Sequence, residues 1–321
     1  MYPQTTGVTV DIGPLAETDL DAADRIFRLA FGTFVGLPDP LAFMGDADFV
    51  RTRWRTDRSS TFGGYVNGEL AGSNFATNWG TVGFFGPLTV RPDLWDAGLG
   101  KRLMEPVVQR FETWGTRNAG LFTFPHSVKH VGLYQRFGFW PRFLTAVMAK
   151  PVTPAGDRAA TSTRFSEVAA NERDEIITRC RDVTDAVYAG LDVTSEIRAV
   201  ADQRLGDTVL LWRDDQLIGF AVCHTGAATE AGSGACYAKF AAVRPTRTAG
   251  EDFDKLLSAL EQFAWQRGMS RVVAGVNTAR EEAYRRMLAY GFRTEMQGVV
   301  MQRPNEPGYN RAGLYVIDDW R

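Results

Sequence analysis

Apolar positions recur along the first half of the chain with two different periods. Between Asp19 and Phe34 they fall at Leu20, Ala23, Phe27 and Ala30, the spacing of one helical face. Asp19 stands where an N-cap is expected. Thr61 to Val66 and Leu70 to Thr77 read as strands joined by Asn67-Gly68, the dipeptide of a tight hairpin turn. Thr81 to Val90 reads as a further strand, interrupted by Gly83 and Gly86-Pro87, which mark a bulge or a close backbone approach. Gly100 to Gly115 carries Leu103, Val107, Val108 and Phe111 on one helical face, with Pro106 inside as a kink or a shifted start. Leu121 to Phe124 is a short buried strand, and Val128 to Phe137 a helix stopped by Gly138. The pattern predicts an α+β fold in which helices cover a mixed β-sheet.

The same order returns in the second half. Val90-Arg91-Pro92 recurs as Val243-Arg244-Pro245, a separation of 153 residues that also carries Leu103 to Leu256, Gly115 to Gly268, Gly138 to Gly291 and Phe139 to Phe292. Upstream, the run from Asn67 to Gly72 resembles the run from Asp214 to Gly219, and a longer hairpin around Ala227 to Gly234 absorbs the change in separation. A fixed internal period marks a duplicated structural unit. Between the copies, Pro151-Val152-Thr153-Pro154-Ala155-Gly156-Asp157 is polar, aperiodic and rich in Pro and Gly, as a linker is. Two tandem domains are therefore expected, at 1–152 and 163–321, and a chain of 321 residues accommodates two cores. The stretch from Arg311 to Asp318 alternates enough to add a strand.

Composition narrows the function classes. With 45% hydrophobic and 23% charged residues the chain is that of a folded globular protein. A net charge of -2 argues against a nucleic acid partner, which needs a basic footprint. No stretch is apolar enough for a membrane span, and Met1-Tyr2-Pro3-Gln4-Thr5 does not begin like a signal peptide, so a cytoplasmic protein is expected. Cys180, Cys223 and Cys236 form no disulfide framework, and with His126, His130 and His224 they make no zinc-type spacing, so no metal is expected. A monomer or homodimer is expected.

The chemistry concentrates where the third strand ends. Trp95, Asp96, Ala97, Gly98, Leu99, Gly100 and Lys101 lead from that strand into a helix. Glycines let backbone amides converge on one point, and a helix N-terminus adds partial positive charge, an arrangement suited to a pyrophosphate. Lys101 and Arg102 add charge. A Walker A loop is a poor fit because Arg102 follows Lys101 in place of Ser or Thr, and no GxGxxG is present. Val90-x-Pro92, this loop, its helix and Leu133-Tyr134-Gln135-Arg136-Phe137-Gly138-Phe139 downstream together resemble the GNAT superfamily of acyl-CoA-dependent N-acyltransferases. The resemblance is closest over residues 60–150. It departs at Trp95, where the family has Gln or Arg.

The resemblance implies two tandem GNAT-like domains and acetyl-CoA as acyl donor. It implies that Leu88, Thr89 and Val90 offer backbone groups to the pantetheine arm and to the reacting carbonyl. Tyr134 matches the family's general acid, which protonates the leaving thiolate. Ser127, where the family often has Asn, either touches pantetheine or caps the following helix. The base for the incoming amine is left open among His126, His130, Glu69, Asp46, Asp48 and water. In the second repeat Gly98, Gly100, Lys101 and Tyr134 become Glu251, Phe253, Asp254 and Met287, so that copy is expected to be degenerate, with a structural or acceptor-pocket role. The acceptor expected is a primary amine of a small molecule. Trp54, Asp39, Asp46, Asp48 and Asp57, between Phe34 and Arg58, would suit a cationic one. A non-catalytic acyl-CoA-binding regulatory module and a protein N-acetyltransferase are the competing expectations.

Overall fold

The computed structural model describes residues 10–153 and 162–321. The segment read for a signal peptide, and the linker beyond Thr153, lie outside the described residues. The contacts divide the chain into two compact units. One holds the described residues up to Gly45 with Phe49–Thr77 and Phe85–Thr113; the other holds Asp46–Asp48, Asn78–Phe84 and Trp114–Arg321.

The first unit is built on antiparallel strands β1 (Val10–Pro14), β2 (Thr61–Val66) and β3 (Glu69–Trp79, to Thr77 here), with β5 (Thr89–Val90) on the far edge of β3. Asn67 and Gly68 both take positive φ, +52° and +84°, as the hairpin requires. Helix α1 (Leu20–Phe34) buries Leu20, Ala23, Ile26, Phe27 and Ala30. Asp19 precedes α1 but does not cap it. A 3-10 turn, Glu17–Asp19, leads directly into the helix, and the Asp19 carboxylate accepts the Tyr65 hydroxyl at 2.8 Å instead. Helix α2 (Val50–Thr56) follows, and Phe27, Phe31, Phe43 and Phe49 form an aromatic cluster. Helix α3 (Leu99–Trp114) packs Leu99 and Leu103 against Ala71 of β3. The strand expected over Thr81 to Val90 is broken. β4 (Val82–Phe85) ends at the cis Gly86-Pro87 bond, and β5 resumes at Thr89.

The second unit holds one mixed sheet. Its order is β4, β6 (Asn118–Thr123), β13 (Arg293–Arg303), β7 (Trp140–Pro151), β12 (Arg271–Asn277), β11 (Gly232–Val243), β10 (Gln216–Gly226), β9 (Gly206–Arg213) and β8 (Ser162–Arg164), and β14 (Val316–Ile317) pairs β11. Helices α7 (Ala249–Gln266) and α8 (Glu281–Tyr290) contribute Leu256, Leu260, Phe263 and Met287 to one core cluster. Helices α5 (Arg173–Val187) and α6 (Thr194–Asp202) contribute Ile177, Val183, Ile197 and Val200 to another. Helix α4 (Val128–Gln135) is shorter than its apolar pattern.

Strands that lie at the repeat separation are exchanged across the sheet. β6 and β12 begin 153 residues apart, as do β7 and β13. Yet β6 pairs with β13, and β12 pairs with β7, while β7 and β13 pair with each other between them. The sheet therefore runs unbroken past the linker position.

Candidate active site

The phosphate-loop candidate grows out of the short strand β5. Val90 lies opposite Gly72, and the amide of Arg91 donates to the Ala71 carbonyl at 2.8 Å. In an antiparallel ladder that pattern makes Val90 the non-hydrogen-bonded member of its pair, so its own N–H and C=O face away from β3. Thr89, by contrast, turns its buried hydroxyl to Ser73, 3.2 Å away. Leu88 packs into the cluster around Leu99 and Leu103, leaving its backbone to do any binding. A Cβ on Gly72 would strike the Thr89 carbonyl and approach Leu103 Cδ1 to 3.1 Å, so glycine there is what lets β5 and α3 close on β3.

After Val90 the chain makes a 3-10 turn, Pro92–Leu94, with Arg91 Nε on Asp93 at 2.8 Å. The Trp95 indole N–H then donates to the outward carbonyl of Val90 at 2.8 Å. Here the departure from the family pattern acquires a physical role: the indole ties the loop back onto the strand that launched it. Asp96 and Gly98 both take positive φ, +68° and +82°. No atom lies within 4 Å of the place a Gly98 Cβ would occupy, so the requirement for glycine is backbone conformation, not crowding. Helix α3 starts at Leu99, which places Gly100 and the exposed Lys101 in its first turn, where amides lack intrahelical acceptors. Leu99 is buried, so only its backbone is available there.

Tyr134 belongs to the second unit, on α4. It is buried, and burial pushes its phenol up from the ordinary value, keeping the proton on oxygen. Ser127 caps α4, its hydroxyl accepting the His130 amide at 3.3 Å. His130 is held below the usual imidazole value first by burial, then by Lys129 and His126. His126 is exposed beside the Phe124 ring.

Several acidic residues between Phe34 and Arg58 take part in local structure. Asp39 and Asp57 accept the amides of Leu41 and Ser59 at 3.1 and 3.0 Å and so fix two 3-10 turns. Asp46 accepts the Ser233 amide at 2.8 Å, and the Asp48 amide donates to the Thr229 carbonyl at 2.9 Å. Glu69 is exposed and pairs with Arg91 at 3.8 Å. Trp54 is buried, its indole bonded to the Leu15 carbonyl at 2.9 Å. Sequence reasoning passed over Arg53. It is buried on α2 and donates to the Gly86 carbonyl at 2.6 Å, holding the break between β4 and β5. Nothing in its local pattern distinguishes it from Arg51 or Arg55. Among the described residues, no group of three or more His, Cys, Asp and Glu side chains is placed to hold a metal.

In the second repeat the strand-to-helix loop is only Arg244 to Thr248. Glu251, Phe253 and Asp254 fall inside α7, and Phe253 and Met287 are buried in its core.

Residues 24–139 match the model of the Acetyltransferase (GNAT) family, a span that contains the loop, α3, Ser127 and Tyr134. Over that span the chain is similar to the GNAT-family acetyltransferases. Enzymes of that family take acetyl-CoA as donor. The fold agrees. A protein of Pyrococcus horikoshii described as an acetyltransferase superposes with a TM-score of 0.69 at 12% identity, covering 100% of this chain and 96% of its own. A GCN5-related N-acetyltransferase from Sphaerobacter thermophilus gives 0.57 at 15% identity, covering 92% and 95%. A glucosamine N-acetyltransferase region of a fungal multi-domain β-N-acetylglucosaminidase gives 0.62 at 12%, covering 93% of this chain and 38% of that one. No curated protein matches the chain. No described helix is long and apolar enough to cross a membrane.

Proposed function

We propose that the chain is an acetyl-CoA-dependent N-acyltransferase acting in the cytoplasm on a primary amine of a small molecule. Its first repeat does the chemistry, and its second is degenerate. The observation that carries this reading is the outward backbone edge of Val90, continuous with the turn through Gly98 into the head of α3. In this reading Leu88, Thr89 and Val90 hold the pantetheine arm, and Trp95 to Lys101 receive the pyrophosphate.

The amine lone pair attacks the thioester carbonyl carbon. A C–N bond forms, and the negative charge on oxygen meets a backbone donor, an interaction worth roughly 10²–10³ in rate. The C–S bond then breaks, and the leaving thiolate takes the phenolic proton of Tyr134. The ammonium proton leaves to a base or to water. Ser127 serves as the cap of α4 in this scheme, keeping the turn that carries Tyr134 in place.

The competing readings differ in outcome. Thiol release from acetyl-CoA would be measured across glucosamine, an aminoglycoside, a polyamine and a peptide with a free N-terminus. Turnover with the amino sugar or another small amine, lowered by Tyr134→Phe, is expected. Calorimetric CoA binding without turnover on any amine would instead make the chain a binding module. Turnover confined to the peptide would make it a protein N-acetyltransferase.

A further inference from the structure

β11 and β12 pair in parallel from Ala235↔Arg271 to Ala238↔Ala274. Beyond that point β14 joins β11, with Ala242 opposite Val316 and Ala241 opposite Ile317. The Val243 amide donates to the Tyr315 carbonyl at 3.3 Å. At the repeat separation, Ala241, Ala242 and Val243 are the counterparts of Leu88, Thr89 and Val90. The edge proposed to bind pantetheine in the first repeat is thus hydrogen-bonded, in the second, to the chain itself. Val316 and Ile317 are wholly buried there.

The helix head beyond that edge is also supplied from within. Gly250 is the second residue of α7, as Gly100 is of α3. A Cβ at Gly250 would lie 2.7 Å from the Arg286 guanidinium carbon, so that guanidinium lies directly against the head of α7. Arg286 is ion-paired with Asp254 and lies 5.9 Å over the Tyr315 ring. The first turn of α7 carries its own anion, the buried Asp252, bonded by Thr248 Oγ1 at 3.0 Å and ion-paired with Arg213. A carboxylate there satisfies the partial positive charge of the helix head. Arg280 stands before α8 as Ser127 stands before α4. It is fully buried and holds Asp318, which follows β14, by an ion pair of 2.9 Å.

We propose that the segment from Leu314 to Asp319 is a permanent internal occupant of the second repeat's acyl-CoA slot. Its backbone takes the place of the pantetheine arm, while Asp252 and Arg286 fill the place of the pyrophosphate. The proposal rests on the reading of the first repeat given above. It limits the chain to one acyl-CoA and makes the segment a structural part of the second repeat.

Hydrogen exchange on the full chain separates the two ideas. Peptides spanning Ala241 to Val243 are expected to exchange about 10³-fold slower than an open chain with or without CoA, while peptides spanning Val90 to Lys101 slow only when CoA is added. Ile317→Pro is expected to speed exchange at Ala241 to Val243 by about tenfold or more, leaving β9 protected. Should that variant not fold, Ala242→Cys with Val316→Cys, facing each other across a non-hydrogen-bonded pair, locks the segment in place. The oxidised enzyme is expected to turn over within about twofold of the reduced one and to titrate with one CoA. Exchange at Ala241 to Val243 at open-chain rates, two CoA per wild-type chain, or loss of turnover on locking that reduction restores would each overturn the proposal. Absence of CoA protection at Val90 to Lys101 would instead sink the reading of the first repeat, while the exchange at Ala241 to Val243 still decides this one.

Discussion

Replacing Trp95 with Phe removes the indole N–H that reaches back to β5. The indole N–H reaches the Val90 carbonyl at 2.8 Å, and the side chain is 37% exposed. Phe keeps most of the aromatic surface but has no donor. A neutral hydrogen bond of this kind contributes about 0.5–1.5 kcal/mol net. This bond ties the loop back to β5, so its loss loosens the placement of Asp96 to Lys101 relative to that strand. If the whole cost appears in donor binding, KM for acetyl-CoA rises roughly two- to tenfold with kcat unchanged. Trp95→Gln restores a side-chain amide donor and is expected to recover part of the loss. The assay is steady-state thiol release with acetyl-CoA varied at saturating amine, checked by CoA calorimetry. An unchanged KM in Trp95→Phe, or a fall in kcat at constant KM, would show that the indole does not order the donor loop.

Three further outcomes are expected. Tyr134→Phe should lower kcat by about 10²–10⁴ at unchanged KM for acetyl-CoA. Because burial raises the wild-type phenol above its ordinary value near 10, kcat should show no alkaline loss from this group up to about pH 10, and an alkaline limb near pH 8 would assign the titration to another residue. Gly72→Ala drives a methyl into the Thr89 carbonyl and is expected to cost about 1–3 kcal/mol in urea unfolding and to raise KM for acetyl-CoA; a stability equal to wild type would mean that β5 is free to shift.

The features legible in the sequence were those set by local chemistry. The spacing at Leu20, Ala23, Phe27 and Ala30 named the buried face of α1, and Asn67-Gly68 named its hairpin, because each depends on residues a few positions apart. The loop before α3 was legible for the same reason, and the period of 153 residues located its altered copy. What local pattern misjudged was competition. Asp19 has the right type for a cap, but Tyr65, distant in sequence, takes its carboxylate. Gly86-Pro87 signalled an irregular strand, yet only the fold shows Arg53 holding the Gly86 carbonyl at that break. Trp95 stands out in the sequence only as a departure from the family's Gln or Arg, because a sequence position cannot show that its indole reaches back to Val90.

Strand exchange is the part no periodicity could carry, and it has a testable consequence. A strand's pattern says which residues face the core, not which strand lies alongside. β7 is bounded by β12 on one side and β13 on the other, and β6 takes β13 on its outer edge. A chain cut in the linker would therefore leave β7 with neither neighbour and β6 with one edge bare. Exposed apolar strand edges of this kind recruit other chains. Expressed alone, residues 1–152 are expected to be insoluble or to form mixed oligomers by light scattering, while co-expression with residues 163–321 yields a one-to-one complex that binds CoA. A monomeric 1–152 fragment with cooperative thermal unfolding and CoA affinity equal to the full chain would show that β6 and β7 can pair with each other. In that case the exchange would be one arrangement among two of similar stability.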